Sequence, residues 1–216
     1  MGILIVISLT VFNSVSFAEE GDVEFSILLT DIHLYIQEDG SLHIVDTLHY
    51  SFFSDYTGVD RRIPYKSGES IDNLKVTTKG AYSRFLVTEE ENQKYIKVYL
   101  YSNPEKSTNK NIEITYEYDF INVIKLYNNG DTLQYNLGGK GWDLDLGKLN
   151  VYIHLNNSKT IDSICDNNLN TKNLTNNINN YVDYWLNPKD FVLNEKWNNN
   201  TLKVSTKEIS SGNIFN

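Results

Sequence analysis

The chain lacks most of what a cross-linked or catalytic protein is built on. It has a single cysteine, Cys165, which excludes an intramolecular disulfide, so the fold must hold through its core. Cys165 lies next to Asp166 with no basic neighbour to activate it as a thiolate. No Gly-x-Ser-x-Gly elbow occurs, which removes the commonest serine nucleophile geometry. Three prolines in 216 residues leave no proline-rich linker to divide the chain, and no internal repeat is present. Positive charge is scarce: 19 Lys and Arg stand against 28 Asp and Glu, for a net charge of −9. The net charge and the lack of a Lys/Arg cluster argue against binding nucleic acid through a basic surface, and an acidic surface is a poor unaided match for anionic headgroups.

Aromatic residues are abundant. Fifteen Tyr, nine Phe and three Trp supply ample material for one core, and the length suits a single domain of sandwich size. Asn is the compositional outlier, so the sequons at Asn156, Asn173 and Asn199 are expected by chance.

The one notable apolar run, Ile3 to Phe12, is too short to span a bilayer. It is followed by Ser16 and Ala18 at the −3 and −1 positions of a cleavable site, and then by the acidic Glu19-Glu20-Gly21-Asp22. Residues 1–18 therefore read as a signal peptide and 19–216 as one extracytoplasmic domain, although no Lys or Arg precedes the apolar run. A first buried strand is the alternative reading of the same residues.

Alternation dominates from residue 25 onward. Ile32, Leu34 and Ile36 alternate with polar neighbours, as do Leu42, Ile44, Leu48, Tyr50 and Phe52. A two-residue turn at Asp39-Gly40 would set Ile36 against His43 and mix the faces. A three-residue loop with Gly40 left-handed pairs Gln37 with Ser41, Ile36 with Leu42 and Leu34 with Ile44, and is preferred. Residues 95–101, 112–118, 149–155 and 201–206 alternate in the same way. Asn129-Gly130 predicts a two-residue turn pairing Leu126 with Leu133 and Ile124 with Tyr135. Strands joined by short turns predict an all-β antiparallel sandwich, immunoglobulin-like in general architecture. Leu174, Ile178, Tyr181, Val182 and Trp185 fall at helical spacing, but their Asn-rich surroundings leave loop plus strand equally open.

Candidate chemistry is sparse. His33, His43, His49 and His154 have no compact ligand spacing and read as isolated polar-face residues, so no metal site is expected. Asp143 and Asp145 lack the further ligands of a calcium loop. Gly138-Gly139-Lys140-Gly141 lacks the spacing of a phosphate loop and reads as a tight turn. Tyr95, Tyr99 and Tyr101 share a strand face, read as a second packed face of the sandwich, with a sugar-binding platform as the alternative. Arg61, between Gly58 and Pro64, is read as structural, its stem over aromatics and its guanidinium on carbonyls or a carboxylate.

Two segments carry a family resemblance: Gly58-Val59-Asp60-Arg61-Arg62-Ile63-Pro64, and Tyr135-Asn136 through Gly139 to Trp142-Asp143. Their order after an opening Asp39-Gly40 hairpin resembles the N-terminal domain of the predicted membrane proteins called domain of unknown function 2207. Gly58, Arg61, Ile63 and Pro64 match one motif, and Tyr135, Asn136, Gly139 and Trp142 match the other. Arg62 stands where the family usually has an acidic residue, and Leu155 is followed by Asn156 where Leu-Pro is common.

The resemblance implies an extracytoplasmic β-rich domain followed by transmembrane helices, with no assigned activity, no catalytic residues and no cofactor. The expected function is a non-enzymatic envelope module whose partner is an envelope component or another surface protein. A secreted carbohydrate-active protein using Asp, Glu and Tyr residues is the alternative. Lys207–Asn213 reads as a turn and Ile214-Phe215 as the start of another strand. The chain is thus expected to be an ectodomain cut before a C-terminal membrane anchor, with its last sheet edge exposed.

Overall fold

The computed structural model describes residues 2–11, 25–53, 56–90, 92–101, 111–125, 130–138, 146–155, 182–187, 192–198 and 200–209. Fourteen strands form among them and no helix. They are β1 (Gly2–Val11), β2 (Phe25–Ile36), β3 (Leu42–Phe52), β4 (Gly58–Pro64), β5 (Ser70–Lys79), β6 (Tyr82–Glu90), β7 (Gln93–Tyr101) and β8 (Asn111–Ile121). Next come β9 (Ile124–Lys125), β10 (Gly130–Gly138), β11 (Leu146–His154), β12 (Val182–Asn187), β13 (Val192–Asn198) and β14 (Thr201–Thr206).

The opening hairpin sets the frame. Gly40 has φ of 82° and the Gln37 amide donates to the Ser41 carbonyl at 3.0 Å, closing a three-residue loop. Leu34 then faces Ile44, and Ile36 faces Leu42. Alternation turns Ile32, Leu34, Leu42, Ile44 and Leu48 inward, with Ile36 half-buried at the rim. From this hairpin grows a seven-stranded sheet of order β13-β14-β11-β2-β3-β8-β5.

A three-stranded sheet, β4-β7-β6, supplies the facing layer. Val59, Ile63, Ile96 and Val98 from it join Leu34, Ile44, Leu48 and Tyr116 of the large sheet in one buried cluster. This is an all-β sandwich of seven strands on three, and its strand order does not establish the immunoglobulin likeness expected from the sequence. A four-stranded sheet, β12-β1-β10-β9, completes the described fold.

Pairing is mostly antiparallel, but β2–β11, β1–β10 and β1–β12 are parallel. Those long crossovers leave no mark on local alternation, which reports faces and not strand direction. The second hairpin is shifted from its expected register: Ile124 pairs with Leu133, not with Tyr135. A two-residue shift keeps every side chain on its own face, so apolar matching cannot separate the two registers. Val182 and Trp185, at helical spacing in the sequence, belong to strand β12. Ile209, expected in a turn, is buried and forms a bridge pair. Residues 1–18, read as a leader, include β1, which lies between β10 and β12.

The Asn-rich composition has a local use. The three non-glycine residues with positive φ among those described are Asn73, Asn92 and Asn122, the residue type that tolerates this conformation best after glycine.

Candidate functional site

The Gly58–Pro64 segment is strand β4, and its residues divide between two faces. Gly58 lies against β7 so closely that a Cβ there would stand 2.2 Å from the Val98 carbonyl oxygen. Only glycine fits that approach without moving the strand. Val59 and Ile63 point into the core. Pro64 closes the strand opposite Gln93.

Arg61 shares the inward face. Its Nη2 donates to Asp46 Oδ2 across the sandwich, and its guanidinium carbon lies 4.7 Å from the centre of the Tyr116 ring. Asp46 is only 1% exposed and Arg61 13%. The pair therefore joins β4 of one layer to β3 and β8 of the other in a nearly dry setting. Burial pushes the Asp46 carboxyl above its ordinary value while Arg61 pulls it back, and Asp46 in turn holds the guanidinium charged. Burial likewise raises the hydroxyls of Tyr50 and Tyr116 beside the pair. Asp46 Oδ1 and Arg61 Nε have no hydrogen-bond partner among the described residues, so part of the desolvation cost stays uncompensated. Such a pair adds little net stability, yet losing one partner strands the other charge.

Sequence reading placed Arg61 but missed Asp46. The signal was there: in Leu42, Ile44, Asp46, Leu48, Tyr50 the inward series of β3 is broken by one carboxylate.

The outer face of β4, β7 and β6 is a different surface. Tyr95, Tyr99 and Tyr101 lie on it together, not on a second packed face as expected. No described layer covers them; cations do. Arg62 stacks over Tyr95 at 5.1 Å, Arg84 over Tyr99 at 4.8 Å and Tyr101 at 5.7 Å, and Lys97 approaches Tyr99 at 5.5 Å. The Tyr95 hydroxyl donates to Asp60 at 2.6 Å, and burial with that carboxylate pushes it up to about 12. The sheet register puts Arg62 beside Tyr95, Arg84 beside Tyr99, and Lys97 between them on β7. Each step of that row crosses one strand and two residues, about 8 Å from strand geometry. Among the described residues no carboxylate lies within ion-pair distance of Arg84 or Lys97, while Arg62 has Glu90 at 3.9 Å.

All four histidines lie on the outer face of the large sheet. His33 and His154 are not isolated: His33 Nδ1 and His154 Nε2 are 3.0 Å apart, sharing a proton. Tyr35 stacks on His154 at 4.2 Å and Tyr152 on His33 at 4.3 Å, the two imidazoles lying nearly parallel and edge to edge with centres 5.2 Å apart, and Lys203 caps the row at 5.0 Å from Tyr152. Burial lowers both imidazoles; Asp31 partly offsets this for His33, and His33 adds to it for His154. His43 contacts Asp119 at 2.7 Å, and His49 lies 3.5 Å from Asp31. No group of three metal-ligating side chains occurs among the described residues. This histidine row escaped sequence reading because β2 and β11 meet through a distant parallel pairing.

Tyr135 and Asn136 lie on β10, opposite Ile7 and Ser8 of β1. Gly139, Trp142, Asp143, Asp145 and Cys165 lie outside the described residues, as do Leu126 and Ile214-Phe215.

Comparison with solved structures finds partial likenesses of low identity. Native leukotriene A4 hydrolase from Saccharomyces cerevisiae aligns with 87% of this chain at a TM-score of 0.49 and 10% identity. A putative protease from Parabacteroides distasonis aligns with 88% at a TM-score of 0.39 and 10% identity. The chain spans 28% and 36% of those two proteins. A search of curated proteins found no match. The model of one family, described as predicted membrane protein (DUF2207) N-terminal domain, matches residues 26–216. Over nearly its whole length, and through the strand that carries Gly58, Arg61, Ile63 and Pro64, this chain belongs to the DUF2207 family of predicted membrane proteins as its N-terminal domain.

Proposed function

We propose that this domain is a non-enzymatic, extracytoplasmic binding module of a membrane protein, exported through residues 1–18 as a leader whose removal takes β1 from between β10 and β12 and leaves the seven-on-three sandwich intact. Its partner is an anionic component of the envelope or an acidic patch on another surface protein. One observation carries the reading: in a chain of net charge −9, Arg62, Lys97 and Arg84 form a diagonal row over tyrosines on one face. Guanidinium groups held over aromatic rings are preordered for carboxylate or phosphate, which lowers the entropic cost of binding.

The same face supports binding over carbohydrate cleavage. A glycosidase needs two free carboxyl groups about 5–10 Å apart. Here Asp60 accepts from Tyr95, and Glu90 sits beside Arg62 and Gln93.

The test uses immobilised polygalacturonate as an anionic polymer of regular charge spacing. Wild-type protein should be retained at low salt and released as salt rises. Arg84→Ser with Lys97→Ser should weaken retention about tenfold, roughly 1.4 kcal/mol. Equal retention of the double variant, or none by the wild type, overturns the reading.

A further inference from the structure

The two layers of the sandwich have four outer edges, and three of them are blunted. Strand β13 carries a register shift between Val192 and Asn194 together with Lys196. Strand β5 has a shift between Asp72 and Lys75, and its Lys75 and Lys79 are paired with Glu117 and Glu113. Strand β4 ends in Pro64 and bears Arg61 and Arg62. Bulges, prolines and charged edge residues are the devices that keep sheets from pairing with other chains.

Strand β6 carries only charge, Arg84 toward one end and Glu89-Glu90 at the other, around an uncharged centre of Phe85, Leu86 and Val87. It runs Tyr82–Glu90 without proline, lysine or register shift, and among the described residues β7 is the only strand its backbone pairs with, although the Ser83 hydroxyl also bonds Thr78 of β5 at 2.8 Å. Apolar side chains are exposed on both of its faces: Phe85 at 43% on the inner side, Leu86 at 53% and Tyr82 at 62% on the outer.

We infer that β6 is the dimerisation edge of this domain, pairing antiparallel with β6 of a second copy about a two-fold axis through Leu86. The sequence of the strand is self-complementary in that register. Leu86 meets Leu86, Phe85 meets Val87 twice, and Arg84 meets Thr88 with Glu90 of the other copy on its diagonal. Arg84 in the first half and Glu89-Glu90 at the end give the strand a charge polarity that antiparallel pairing matches and parallel pairing opposes. Centring the axis on Val87 would instead set Phe85 against Glu89. The result is a continuous six-stranded sheet, β4-β7-β6-β6-β7-β4, whose two-fold axis makes the contact isologous. This goes beyond the proposed function; the two share Arg84, and the variants at Leu86 test the edge without touching the cationic row.

Two measurements on the full chain test it. In sedimentation velocity across a concentration series, wild type should shift from monomer to dimer, while Leu86→Lys, which places two like charges on the axis, should stay monomeric with an unchanged circular dichroism spectrum. In a Cys165→Ser background under mild oxidation, Leu86→Cys should form a cross-linked dimer, because the two thiols face each other directly. Arg84→Cys should not, because its copies stand four residues out of register. Wild type that is monomeric at every concentration reached, a Leu86→Lys variant that still dimerises, or Arg84→Cys cross-linking as readily as Leu86→Cys, each overturns the inference.

Discussion

Replacing Arg61 by Leu leaves the Asp46 carboxylate 1% exposed without its cation. Breaking a buried pair from one side costs about 3–5 kcal/mol, because the remaining charge is stranded. For a domain of this size that corresponds to a fall in Tm of roughly 6–20 °C. The loss should depend on pH, and the sign comes from Asp46. Burial already raises its carboxyl above the ordinary 3.8, and removing Arg61 removes the opposing pull. A carboxyl raised in the folded state contributes stability below its unfolded pKa and loses it as pH rises through the folded value. The variant should therefore be closest to wild type near pH 4; both lose stability together up to the wild-type folded pKa, and above it the variant alone goes on losing about 1.4 kcal/mol per pH unit until its own, higher folded pKa is passed. Urea unfolding at several pH values measures this directly. The double variant Asp46→Leu with Arg61→Leu should recover most of the loss, since an apolar pair of similar volume is often as stable as a buried ion pair. If Arg61→Leu unfolds like the parent, or if the double variant is no better than the single one, the clamp reasoning is wrong.

Leu34→Ala should cost about 2–5 kcal/mol by opening a cavity between the layers, whereas His33→Ala, one residue away on the outer face, should cost well under half of that in thermal melts at pH 8. His33 and His154 are both held below the ordinary 6.5, so the unfolded chain binds more protons and stability should rise with pH up to that value; His33→Asn with His154→Asn should flatten the slope in that window. Asp119, held low by Asn73 and His43 against the opposing effect of burial, adds a loss of the same sign as pH falls through and below 3.8, which the histidine variants should leave in place. Gly58→Ala should destabilise by roughly 1–3 kcal/mol, since its Cβ meets the Val98 carbonyl, and equal melting of the two proteins would refute the close approach. Mass spectrometry of exported protein should find the mature chain starting within two residues of Glu19; an intact Met1 would refute the leader.

What the sequence disclosed was whatever depends on side-chain period. The β2–β3 register was legible because a wrong loop length would have mixed faces, and Gly40 had to be left-handed in the right one. The Ile124 register was not, because an even shift costs no burial. Parallel pairing of β2 with β11 joins segments more than a hundred residues apart, and no local pattern encodes it. The same distance hid the histidine row, and the Asp46 partner of Arg61 lay hidden across the two layers. The cationic face was half legible: its tyrosines showed in the alternation of β7, but Arg62 and Arg84 come from strands on either side.

The envelope or surface partner proposed for this domain requires its sheets to lie outside the cytoplasmic membrane. Lys79, on the exposed edge strand β5 with a side chain 79% accessible, offers a reporter position. With Cys165→Ser and Lys79→Cys introduced into the natural gene, intact cells are treated with a membrane-impermeant maleimide before and after lysis. The account predicts full labelling on intact cells. Labelling that appears only after lysis would place the domain on the cytoplasmic side and contradict it.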